Sequence, residues 1–193
     1  MKSIFTAGIF ALFFSGIANA TLIKADFRTE ANLPDIRTGS PKVYQSLNQS
    51  IGAGVELNNT HIFANPDEWG GGEVWMDFNP INYVLTLNSR DTWDFKTFDA
   101  WMNNIVFSEL NTVISGITLL TNNLITVPQL PALSFTDNSI RISYSTMPSI
   151  FNFTGGTATF QIATRSTANP VSAPASIALI ALGLLAIRLR QRS

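Results

Sequence analysis

The stretch "SIRISYS" at residues 139–145 places Ile140, Ile142 and Tyr144 on one side of an extended chain and Ser139, Arg141, Ser143 and Ser145 on the other. A period of two is the signature of a strand with one face on a core, and it excludes a helix, whose apolar stripe recurs every three or four residues. The same pattern returns in "EVWMDF" (Val74, Met76, Phe78 against Glu73, Trp75, Asp77), in "YVLTL" (Tyr83, Leu85, Leu87) and in "TATFQIA" (Ala158, Phe160, Ile162). Between these runs stand "NPDEWGGG", "NPIN", "NNL", "TDNS" and "FTGGT", rich in the residues that supply positive φ or close turns with their own side chains. Short strands separated by such turns predict an all-β fold, an antiparallel β-sandwich or jelly roll.

One segment breaks the pattern. In "TFDAWMNNIVFSEL", Phe98, Trp101, Met102, Ile105, Val106 and Leu110 fall at helical spacing, with Thr97 placed to cap a helix. Asn103, Asn104, Ile105, Val106 and Phe107 are weak helix formers, which favours a strand or a loop.

The two ends of the chain do not belong to this body. Residues 1–20 combine an early cation at Lys2, an apolar block from Ile4 to Phe14 and small residues at Ala18 and Ala20, the pattern of a secretory signal peptide cut after Ala20. The other end, "VSAPASIALIALGLLAIRLRQRS", carries an uninterrupted apolar run from Ile177 to Ile187 followed by Arg188, Arg190 and Arg192. A helix over 175–189 is short of the ~20 residues that cross hydrocarbon unaided. The arginine stems can snorkel, and their charge favours the cytoplasmic side, so they serve as a stop-transfer cluster. Pro174 keeps Ala173 extended, so Val171, Ser172, Ala173 and Pro174 form an extended tetrapeptide beside the membrane, accessible to a processing enzyme. A plain membrane tail, short and tilted, is the alternative.

With its short motif, marginal helix and arginine cluster, the segment 171–193 resembles the PEP-CTERM sorting signal of Gram-negative bacteria. Val171 and Pro174 match the Val-Pro-Glu-Pro motif of that family, and Ser172 and Ala173 replace its inner Pro and Glu. The resemblance implies an exosortase-like enzyme as partner and transient contact with the inner membrane. It also implies delivery of the body to the cell surface or an extracellular polysaccharide matrix. "GGGEVWMDFNPINYVLTLNS" and "FTGGTATFQI" are similar to stretches of other PEP-CTERM proteins, which implies a β-rich secreted body and no particular activity.

The remaining body, Thr21–Thr167, is about 147 residues, the size of one domain. It carries eight Lys and Arg against thirteen Asp and Glu, a net of −5, which argues against nucleic acid as a partner. Cysteine is absent, so an exported domain must hold together by packing and hydrogen bonds, and thiolate metal sites are excluded. The single histidine, His61, lies in "NNTHIF" without G-x-S-x-G or another nucleophile marker, and is read as a surface or strand residue. Paired carboxylates remain a route to glycoside chemistry, which depends on a separation that sequence does not give.

Between Asp67 and Asp99, seven carboxylates (Asp67, Glu68, Glu73, Asp77, Asp91, Asp94, Asp99) stand against Arg90 and Lys96. Calcium could settle among such oxygens. The loop spacing D-x-[DN]-x-[DN]-G is missing, so a solvated acidic face is the preferred reading and no cofactor is expected. The same region holds all four tryptophans, Trp69, Trp75, Trp93 and Trp101. Large aromatics usually fill cores, but alternation places Trp75 on the polar face of its strand, and Trp69 lies in a glycine-rich turn. Both are therefore expected to be exposed, as candidate glycan contacts. The sequence reading is a non-enzymatic secreted protein at the cell surface or in the matrix. A carbohydrate-binding module at the same location is the alternative, and an enzyme is the third choice.

Overall fold

The computed structural model describes residues 20–32, 40–66, 68, 70–90, 97–125, 130–144 and 155–167. The signal peptide, the sorting motif, the helix over 175–189 and its arginines lie outside the described residues, apart from Ala20. Among the described residues ten strands follow one another: β1 (Leu22–Asn32), β2 (Lys42–Ser50), β3 (Ile62–Ala64), β4 (Val74–Asn79), β5 (Val84–Ser89), β6 (Thr97–Phe107), β7 (Thr112–Asn122), β8 (Ala132–Thr136), β9 (Ser139–Ser143) and β10 (Thr157–Ser166). They form two antiparallel sheets, one of six strands in the order β3-β2-β1-β6-β9-β8 and one of four in the order β4-β5-β10-β7. The fold is all-β, in the arrangement of a β-sandwich. Among the described residues no helix is long and apolar enough to cross a membrane.

Alternation places the core where the sequence puts it. Val74, Met76 and Phe78 from β4, Leu85 and Leu87 from β5, and Ala158, Phe160 and Ile162 from β10 are buried on the inner face of the smaller sheet. They share one apolar cluster with Phe27, Phe98, Ala100, Met102, Ile140 and Ile142 from the larger sheet. Tyr144 belongs to that cluster as well, its ring tilted against Phe98 and its hydroxyl donating to Asn122 Oδ1 at 3.2 Å.

The helically spaced segment is strand β6, and its anomalous spacing has a local cause. Asp26 pairs with Asn103 and Lys24 with Val106, so β6 carries one residue more than β1 over this interval. That is a β-bulge, and Asn104 takes φ 49° within it, a conformation asparagine tolerates better than most side chains. Its amide nitrogen donates to Asp26 Oδ2 at 2.6 Å. Phe98, Ala100 and Met102 point inward before the bulge and Ile105 after it, so a step of three imitates a helix. Strand β1 carries a compensating extra residue nearer its start, where Leu22 pairs with Phe107 and Lys24 with Val106.

Turn chemistry follows the sequence closely at two sites. Asp137 and Asn138 close the β8–β9 hairpin, where the hydroxyls of Thr136 and Ser139 lie 2.6 Å apart. In "NPIN", Asn79 Oδ1 accepts from the Ile81 amide at 2.9 Å, and Tyr83 takes φ 58° as the chain enters β5.

Glu56 is the unexpected core residue, only 2% exposed. Leu57 and Met76 form a bridge along the free edge of β4, and the amides of Glu56 and Leu57 both donate to the Met76 carbonyl. Further along that edge, the Phe78 amide donates to Glu56 Oε2 at 2.8 Å. A side chain therefore completes an edge that would otherwise present an unpaired donor. Burial pushes the Glu56 carboxyl above its ordinary value of 4.5, since loss of water outweighs the amide bonds.

The folded state thus holds this proton more tightly than the unfolded chain. Glu56 subtracts stability as pH rises from about 4.5 through its raised folded value, and restores it as pH falls. Glu56→Gln should flatten that part of the stability profile. Urea midpoints measured from pH 4 to pH 8 check this; an unchanged slope in the variant would contradict it.

Candidate functional site

Antiparallel register decides which outward side chains meet across the larger sheet. Gln45 on β2 lies opposite Arg28 on β1, Arg28 opposite Trp101 on β6, Trp101 opposite Arg141 on β9, and Arg141 opposite Ser134 on β8. Directly opposed residues share a face, so these five form one row across five strands, pointing away from the core. The adjoining row contains Glu30 and Asp99, also opposed.

The row is cross-linked. Arg28 Nη1 donates to Gln45 Oε1 at 3.0 Å, and its Nε donates to Glu30 Oε1 at 2.9 Å. Arg28 and Glu30 are also joined through Nη2. On the other flank, Arg141 donates from Nε and Nη2 to Asp99 Oδ1 at 3.1 and 3.0 Å, and its guanidinium lies 5.3 Å from the centre of the Trp101 ring. Trp101 is half-buried, and the Arg141 side chain is half exposed.

This arrangement combines a flat apolar ring with planar hydrogen-bonding groups whose rotamers are already fixed by their partners. Fixed groups lose less entropy when a ligand binds. An indole face suits the C–H faces of a pyranose, while guanidinium, carboxylate and amide groups suit its hydroxyls. Five strands present the row as an open surface, which fits a polymer better than an enclosed small molecule.

The sequence-predicted contacts fare differently. Trp69 lies outside the described residues. Trp75 points outward as alternation requires, but it is half-buried rather than exposed. The Arg90 guanidinium lies 4.2 Å from its ring centre, and its indole N–H donates to Glu73 Oε1 at 2.6 Å. One ring face and the only polar atom of Trp75 are thus already engaged. Sequence does not show that Arg90 folds over it, because the two residues meet through the register of β4 on β5.

The acidic run does not converge. Asp99 lies on the larger sheet, paired with Arg141, whereas Glu73 and Asp77 flank Trp75 on the smaller one. Asp67, Asp91 and Asp94 lie outside the described residues. Among the described residues no group of three or more His, Cys, Asp or Glu is placed to hold a metal ion. His61 closes a turn, its Nδ1 accepting from the Asn58 amide at 3.1 Å while Asn58 Oδ1 accepts from the Thr60 amide.

A cleft of about 430 Å³ lies at one end of the sandwich, lined by Gly52, Ala53 and Gly54 on one side and by residues 77–81 on the other. Asp77 is the one ionisable residue among its described lining, and burial pushes that carboxyl up. Glu56 lies nearby, with its carboxylate committed to the Phe78 and Gly52 amides.

Arg28, Glu30 and Gln45 are not among the sequence-predicted site residues, although the alternation of Ala25, Phe27, Thr29 and Ala31 with Asp26, Arg28 and Glu30 carries the signal. Comparisons with protein-family models, with curated proteins and with solved structures find no match for this chain.

If Trp101 serves the surface and Phe98 the core, the two aromatics of β6 should differ in their effect on stability. Trp101→Ala should cost about 1 kcal/mol, and Phe98→Ala about 3–5 kcal/mol. Urea unfolding of both variants checks this, and equal losses would mean that Trp101 is a packing residue.

Proposed function

We propose that this chain is a non-enzymatic secreted protein, delivered by its C-terminal segment to the cell surface or exopolysaccharide matrix, where the Trp101 face holds polysaccharide. The observation that carries the binding half is the row Gln45–Arg28–Trp101–Arg141, an aromatic ring between two arginines whose partners fix them. Delivery is supported by the sequence features of the two ends: a signal peptide cut after Ala20, and the motif Val171–Pro174 followed by a short apolar run and Arg188, Arg190 and Arg192. An exosortase-like enzyme would cut at the motif while the arginines hold the precursor in the inner membrane.

A non-catalytic role accords with how the carboxylates are used. Glu30 and Asp99 are paired with arginines, and Glu56 accepts backbone amides. Each is held by a partner that favours its structural use.

One fractionation of the native host tests both halves. Wild type and Trp101→Ala, each with an epitope after Ser193, are followed in membrane, surface-polymer and medium fractions by that epitope and by an antibody against the body. Wild-type protein in the polymer fraction should lack the epitope. Trp101→Ala should lose the epitope equally and move to the medium, with retention on polymer reduced at least tenfold. Surface protein that keeps the epitope contradicts sorting; a variant that stays with the polymer contradicts the binding face.

A further inference from the structure

The end of the sandwich that bears the cleft also gathers the two ends of the body. The Thr21 amide donates to Ser108 Oγ at 2.8 Å, and the Ser108 amide donates back to the Thr21 carbonyl at 2.7 Å. The Thr167 amide and hydroxyl both donate to the Asn111 carbonyl, at 2.7 and 2.9 Å. Both ends of the described body are therefore tied to the single loop between β6 and β7. Thr21 also lines a shallow depression with Pro80, Ile81 and Tyr83, which places the β4–β5 turn beside the same loop.

The two turns carry the most exposed apolar side chains described, Leu110 at 91% and Ile81 at 90%. One such residue alone needs no explanation. Two at neighbouring tips, at the end where both termini leave the body, form a pattern. Tyr83, half-buried between them, adds an aromatic ring of the kind enriched at membrane interfaces. From Thr167 to the start of the apolar run at Ile177 is ten residues, at most about 33–36 Å of extended chain. The tail therefore leaves this end within reach of a bilayer.

We infer that in the uncut precursor this end of the sandwich rests on the membrane, with the side chains of Leu110 and Ile81 inserted in the lipid interface. Glu109 stands beside Leu110, so the contact is apolar and does not depend on anionic lipid. This inference rests on the tail reading above for its orientation, and the test separates the two.

Phe63 provides the control. Strand β3 pairs with Val43 and Tyr44 at the start of β2, which lie opposite Glu30 and Thr29, far along β1 from Thr21, so Phe63 marks the opposite end of the sandwich and is 68% exposed. The chain has no cysteine, so Ile81→Cys, Leu110→Cys and Phe63→Cys each add a unique thiol. Leu182→Cys does the same within the tail. The full chain, labelled with an environment-sensitive fluorophore, is reconstituted into phosphatidylcholine vesicles with and without spin-labelled lipid. Labels at 81 and 110 should shift to the blue and be quenched at least twofold more than the label at 63, with no gain from anionic lipid. Labels at 81 and 110 that stay as water-exposed as the label at 63 overturn the inference, whatever the tail does. A blue shift at 81 and 110 that needs no lipid and grows with protein concentration assigns the tips to a second copy and overturns it too. Lipid-dependent shifts at 81 and 110 with an unshifted label at 182 support the inference and count against the tail reading alone.

Discussion

The pairing of β1 with β6 is the interaction on which the rest of the structure depends. Nine residue pairs run from Leu22↔Phe107 to Asn32↔Thr97 and join two of the longest strands at the centre of the larger sheet. Their inward residues, Phe27, Phe98, Ala100 and Met102, supply the middle of the core. Their outward residues set Arg28 beside Trp101 and Glu30 beside Asp99. A slip of one position would send every one of these side chains to the wrong face, so the core and the polar row are specified together. Two offset bulges, one in β6 between Asn103 and Val106 and one in β1 between Leu22 and Lys24, cancel one another and pin that register.

Much of the fold is legible in the sequence, because burial on one face of a sheet writes a period of two into the chain. "EVWMDF", "SIRISYS" and "TATFQIA" show this directly, and each buries the residues that alternation selects. The pattern becomes ambiguous where backbone geometry departs from the period. In β6, one asparagine at positive φ converts steps of two into a step of three, which sequence periodicity cannot distinguish from a helical turn. Burial of Glu56 is also invisible in the sequence, since its partner is the amide of a residue 22 positions away, on β4.

The candidate face is less legible than the fold for a related reason. Its members come from five strands, and only register brings Gln45, Arg28, Trp101, Arg141 and Ser134 into line. Sequence concentrates attention on the tryptophans and acids between Asp67 and Trp101, whereas the structure divides the described members of that group between two sheets. Two arginines each cover a tryptophan on either side of that division. Arg90 lies over Trp75 at 4.2 Å from its ring centre, and Arg141 lies over Trp101 at 5.3 Å with its charge held by Asp99. An arginine thus lies over each half-buried tryptophan, more closely over Trp75, whose indole N–H is also bonded to Glu73. The ends of the sandwich differ in a similar way, since the loop that anchors both Thr21 and Thr167 also carries Leu110.

The central claim, that Trp101 is the polysaccharide platform of this domain, is tested most directly by the indole N–H resonances. Four tryptophans give four signals, and Trp101→Phe identifies one of them. On titration with the host's exopolysaccharide, the Trp101 signal should shift and broaden while that of Trp75, bonded to Glu73, stays in place. A shift confined to the other indoles, or none at all, would contradict the account.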